Sequence, residues 1–123
     1  MTAQRVPEPP QGTGPSGRAL WRDVLGKYEL EEHEQALLRE AVRSVDQLDE
    51  LHAIVKREGA IVDGPGGSPR MHPAAVEARQ LRIALARVIA ALRLPADDDG
   101  SGALHRPQRR VGVRGIYSVK KGS

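Results

Sequence analysis

EEHEQALLREAVRSVDQLDELHAIVKRE, residues 31–58, is the stretch on which the fold turns. Leu38, Ala41, Val45, Leu48, His52 and Val55 follow one another at intervals of 3, 4, 3, 4 and 3 residues, the spacing of a coiled-coil-like seam on an α-helix. Leu37, Leu51 and Ile54 widen the stripe beyond what one partner helix covers. Glu31, Glu32 and Glu34 stand in the first turn and Lys56 and Arg57 in the last, each with the sign that the macrodipole favours, and Gly59 follows as a stop. At a rise of ~1.5 Å per residue the helix is about 42 Å long, too long for a protein of this size to cover with its own mass. Leu38, Val45, Leu48, His52 and Val55 are therefore the expected oligomerisation positions, with His52 a polar residue that helps set register.

Shorter signals flank this helix. Upstream, Ser16 is a suitable N-cap for a helix over 17–27, in which Leu20, Val24 and either Trp21 or Leu25 share a face. Downstream, 60–72 is a connector: the β-prone Ala60-Ile61-Val62, a turn-rich run from Asp63 to Pro69, then Arg70-Met71-His72. It admits a tiny β-hairpin, although two strands alone are marginal. Pro73 suits the first position of a third helix running to about Arg93, with Val76, Leu81, Ala84, Leu85, Val88, Ile89 and Leu92 inward. So short a connector makes antiparallel neighbours of the second and third helices. The expected fold is all-α, a short N-terminal helix plus a long antiparallel helical hairpin. Its expected parts are a disordered Pro/Gly-rich arm over 1–16, a helical oligomerisation core over 17–95, an acidic Gly/Ser linker over 96–103 and a basic tail over 104–123.

The chain has 123 residues, no Phe, and only Trp21, Tyr28 and Tyr117 as aromatics. A core of Leu, Val, Ile and Ala buries little area per residue, so a lone copy is expected to be marginal and self-association to relieve it. Cysteine is absent, which excludes disulfides, thiolate zinc sites and cysteine nucleophiles. No run approaches the ~18 apolar residues of a membrane span, and the N-terminal stretch lacks the apolar region of a secretion signal.

Charge is distributed unevenly. From Glu29 to Glu58 nine acids stand against four bases, whereas Arg79, Arg82, Arg87 and Arg93 make the third helix basic. The tail carries Arg106, Arg109, Arg110, Arg114, Lys120 and Lys121 and no acid. Flexible cations reach phosphates and release counterions, so these six are the expected DNA-binding residues, in a sequence-tolerant and salt-sensitive mode. A solubilising charge run or a tail that docks on a protein is the alternative, and Ile116-Tyr117-Ser118-Val119 is apolar enough for docking.

Signals for chemistry are weak. His33-Glu34 begins like a zinc-protease helix, but Leu37 stands where the second histidine belongs. Gly64-Pro65-Gly66-Gly67 lacks the Lys-Ser/Thr of a phosphate loop, and Pro65 and Pro69 remove amide donors. Asp97-Asp98-Asp99 has no calcium-loop spacing around it. With no nucleophile, base and orienter together, the chain is expected to be no enzyme and to need no metal or cofactor.

Leu20-Trp21-Arg22-Asp23-Val24 to Tyr28, the long helix closing on Val55-Lys56-Arg57-Glu58-Gly59, the connector ending in His72-Pro73, and the helix closing on Leu92-Arg93-Leu94-Pro95 together resemble the short phage terminase small subunits. The likeness covers about residues 17–95, and Arg106-Pro107-Gln108-Arg109-Arg110 and Arg114-Gly115-Ile116-Tyr117 resemble tails of that group. It implies a non-catalytic, ring-forming subunit in the host cytoplasm that binds double-stranded viral DNA and recruits the large ATPase-nuclease subunit. The rival expectation, from the seam alone, is a helical protein-interaction adaptor or small regulator that does not bind DNA.

Overall fold

The computed structural model describes residues 5–95 and 108–109. It is mostly helical: α1 (Pro15–Lys27), α2 (Glu32–Glu58) and α3 (Pro73–Leu92), with short strands β1 (Tyr28–Glu29), β2 (Ile61–Asp63), β3 (Pro69–Met71) and β4 (Gln108–Arg109).

Helix α2 begins with a capping box, in which the Glu31 side chain accepts from the Glu34 amide and Glu34 Oε1 accepts from the Glu31 amide at 2.7 Å. It ends where Gly59 takes φ +91°, a value open to glycine, and donates its amide to Val55 O at 2.6 Å. The connector is a hairpin: β2 and β3 pair antiparallel, with Ile61 opposite Met71 and Asp63 opposite Pro69. Its turn, Pro65–Gly67, uses positive φ at Gly66 and Gly67. Pro73 then opens α3 at the position where a missing amide costs nothing.

Helices α2 and α3 lie against each other, as their short connector requires. Of the residues expected inward on α3, Leu92 is fully buried, Val76, Leu81, Leu85, Val88 and Ile89 are half-buried and only Ala84 is exposed, while Ala74 and Ala78 are buried outside that expectation. Small side chains at the start of α3 let the two backbones approach, and the larger ones are displaced to the edges.

The core sits at one end of the hairpin. Helix α1 crosses there and brings Trp21, Val24, Leu25 and Tyr28 onto Leu30, Leu38, Val42 and Leu92, with Leu25, Leu38, Val42 and Leu92 fully buried. Both rings keep a polar anchor: Trp21 Nε1 donates to Pro7 O at 2.7 Å and Tyr28 Oη to Pro95 O at 3.0 Å.

Two features of the N-terminal region depart from expectation. The N-cap of α1 is Gly14, not Ser16, because Pro15 takes the first helical position and an acceptor arrives from α2. The Asp46 carboxylate receives the Gly14 amide on Oδ2 and the Gly17 amide on Oδ1, each at 2.7 Å, while the Ser16 hydroxyl reaches Asp49. The arm, expected to be disordered over 1–16, lies against the core from Val6 onward, through Val6 itself, the Trp21–Pro7 hydrogen bond and the Asp46 contacts. Its prolines and glycines need no helix or strand to satisfy them, since a ring N–H and a carboxylate supply the partners.

Gly17 is required by close approach. A Cβ there would stand 2.5 Å from Asp46 Oδ2 and 2.9 Å from Val42 Cγ1. Alanine is the better helix former by about 1 kcal/mol, yet Gly17→Ala is expected to lower stability in urea by about 1–3 kcal/mol through overpacking. Asp46→Ala is expected to cost about 1–2 kcal/mol by stranding two helix N-terminal amides. A Gly17→Ala protein as stable as wild type would show that α1 does not seat on Asp46 as described.

Candidate functional site

The expected DNA-binding residues are mostly beyond view: Arg106, Arg110, Arg114, Lys120 and Lys121 lie outside the described residues, as do the acidic linker and the remainder of the tail. Of Arg109 the backbone is placed. Strand β4 pairs antiparallel with β1, Tyr28 opposite Arg109 and Glu29 opposite Gln108. The root of the basic tail is thus held at the junction of α1 and α2, beside the core.

The expected oligomerisation residues separate into two groups. Leu38 and Leu48 are buried by the chain's own elements, so these two seam positions are internal. A 3,4 spacing reports a helical partner without saying whether that partner is intramolecular, and here α1 and α3 supply it. Val45 and Val55 are half-buried and His52 is exposed.

Past the start of α1, a groove of about 410 Å³ opens between α2 and α3. Its floor is Val55, Met71, Ala75 and Ala78; around it stand His52, Lys56, Arg79 and Arg82, and no carboxylate lines it. On α2, Val42, Asp49 and Lys56 are spaced by seven residues and so fall on nearly one stripe. Val42 and Asp49 lie under α1, and Lys56 continues that stripe into the groove. On α2, the groove thus begins past the segment that α1 covers. Sequence reasoning missed it, because Lys56 and Arg79 meet only once the register of the hairpin is known; the small Ala75 and Ala78 one turn before Arg79 and Arg82 were the available signal.

A second, apolar edge is marked by Leu51 and Ile54 on α2 and Leu81, Leu85 and Val88 on α3, all half-buried and spaced three or four residues apart within each helix. Ile61, Met71 and Ile83 are 58%, 46% and 50% exposed.

His72 joins the helix ends. Its Nδ1 accepts from the Ala74 amide at 2.9 Å, capping α3, and its Nε2 lies 2.7 Å from Glu58 Oε1, on the last residue of α2. Because Nδ1 accepts, the neutral ring carries its proton on Nε2 and donates it to Glu58. That hydrogen bond, with the positive charge of His72 when it is protonated and of Arg57, holds the Glu58 carboxyl below its ordinary value. His72 is committed to structure, as are Asp46 and Glu34, and His33 is exposed on the first turn of α2. Among the described residues no group of three His, Asp or Glu side chains is placed to hold a metal, and no helix is long and apolar enough to cross a membrane.

No family model matches the chain, and no curated protein or solved structure matches it. The functional reading rests on the residues and their placement.

Since the folded-state pKa of Glu58 is lowered, its contribution to stability is present above the ordinary carboxylate range and lost as pH falls through the lowered value. Glu58→Gln is expected to melt below wild type at neutral pH, with the gap closing as the solution is acidified through that range. A gap independent of pH in thermal melts would remove the ion pair from the account. His72→Ala, which also loses the helix cap, is expected to cost about 1 kcal/mol at neutral pH.

Proposed function

We propose that this protein is the small subunit of a phage or prophage DNA-packaging terminase, a non-catalytic homo-oligomer that binds double-stranded viral DNA and recruits the large ATPase-nuclease subunit. The observation that carries the reading is the ordered run of segments from Leu20 to Pro95 that resembles this group. The helical hairpin with α1 across it is consistent with that resemblance. Support also comes from the six-cation tail without acids and from the rooting of its Gln108–Arg109 on β1.

Each part has a physical task in this reading. The apolar edge of Leu51, Ile54, Leu81, Leu85 and Val88 gives copies of the chain a surface to bury, and a head-to-tail contact of that kind closes into a ring. The tail neutralises phosphates without reading bases, since flexible Arg and Lys side chains contact the backbone in any sequence. A fixed root lets several tails surround one duplex in an assembly. Chemistry on the DNA is left to the large subunit.

An adaptor or small regulator without DNA binding is the second reading, favoured by the groove, whose apolar floor suits a protein better than a duplex. Full-length chain in which Arg106, Arg109, Arg110, Arg114, Lys120 and Lys121 are all Gln separates the two. In the terminase reading, wild type is larger than a dimer by light scattering. Its duplex affinity falls with salt, and the log–log slope shrinks by about 0.9 for each phosphate contact removed with the six cations. A wild-type monomer indifferent to duplex DNA at low salt would leave the adaptor reading.

A further inference from the structure

We propose that the groove between α2 and α3 is a docking site for an acidic amphipathic helix of a partner protein. The proposal goes beyond the DNA-binding reading and does not depend on it. Three observations converge on this occupant.

The first is shape. The groove runs between two antiparallel helices, on the α2 segment past the one that α1 covers, and its volume of about 410 Å³ is within the roughly 300–1,000 Å³ of pockets that bury a ligand. Val55, Met71 and the two alanines give a floor for apolar side chains at helical spacing, the mode in which an amphipathic helix lies in a groove. Met71 suits such a floor because its unbranched thioether adapts to the side chain that arrives.

The second is charge. Under α1 the surface of α2 presents Asp46 and Asp49, both engaged with the start of α1. Past the start of α1 the sign reverses: Lys56, Arg79 and Arg82 border the floor and no carboxylate answers them within the groove. Carboxylates flanking an apolar ridge would meet these cations at the rim, which steers encounter and fixes orientation. A nucleic acid would use the rim and waste the floor, because phosphates gain nothing from an apolar surface.

The third is reach. The chain's own acids at Asp97–Asp99 begin just after Pro95, which Tyr28 holds at the core end of the hairpin, away from the groove. Four residues extend about 14 Å, whereas the middle of the groove, near Ala78, lies about 21 Å back along α3 from Leu92. The tail is cationic and is repelled by the rim. The occupant therefore comes from another molecule.

The test uses full-length protein with labelled Met and Ala methyls, and a synthetic helical peptide with Leu at i, i+3, i+4 and i+7 and Glu on its flanks. At ~0.15 M salt, where screened surface contacts weaken, the Glu peptide should shift the Met71, Ala75 and Ala78 methyls saturably. Arg79→Glu/Arg82→Glu should weaken it by at least about tenfold and admit a peptide with Lys in place of Glu. Both arginines are exposed, and a matching melting curve confirms the fold; if it is lowered, Arg79→Gln/Arg82→Gln takes its place. Any one of four results overturns the proposal. The Lys peptide binds wild type as well as the Glu peptide does, or neither moves these methyls. Duplex DNA moves the same methyls and displaces the peptide. Or the methyls show intermolecular contacts between copies of the free chain and the peptide is excluded, which assigns the groove to self-association.

Discussion

Helix α1 is attached at its start through the Asp46 carboxylate, which spreads its two oxygens over the Gly14 and Gly17 amides, with Ser16 on Asp49 beside it. A carboxylate at a helix N-terminus meets both unsatisfied donors and the positive end of the dipole, and this one belongs to a different helix. It therefore sets where α1 begins along α2. Beginning there, the thirteen residues of α1 extend back over Val42 and Leu38, and Trp21, Val24 and Leu25 close on Leu92. His52, Val55 and Lys56, which line the groove, lie beyond Asp49 and so past the start of α1.

Much of this was legible in advance, for identifiable reasons. The long α2 was written in its charge polarity, its periodicity and Gly59, and α3 in Pro73; the connector was short enough to force an antiparallel pair and Gly-rich enough to turn. The N-terminal arm misled because composition reports how much apolar surface a segment can bury, and not whether a neighbour offers single polar contacts, as Trp21 and Asp46 do. The seam misled in part for a related reason. Leu38 and Leu48 satisfied the pattern of an interface between chains and are covered by α1 and α3. The groove was illegible because it is made by register: Lys56 and Arg82 are 26 positions apart in the chain and meet only through the hairpin.

The hairpin separates tasks by distance. Its core end holds the root of the basic tail, and its far end, about 33 Å away along α2 from Glu32 to Ile54, holds the groove. On the proposed reading a polyanion is met at one end and an acidic protein segment at the other, so the two similarly charged ligands need not compete. Separate cationic sites, one flexible and one with an apolar floor, discriminate between them by desolvation and not by charge alone.

The pairing of β4 with β1 has a mechanical meaning. Two residues of ladder, Tyr28 with Arg109 and Glu29 with Gln108, join the tail to the body. A pull on the tail is borne by those few hydrogen bonds, whereas the packed interior behind Tyr28 is held by many simultaneous contacts. Among the described residues the ladder is thus the weaker attachment, and under tension it peels while the interior keeps its shape.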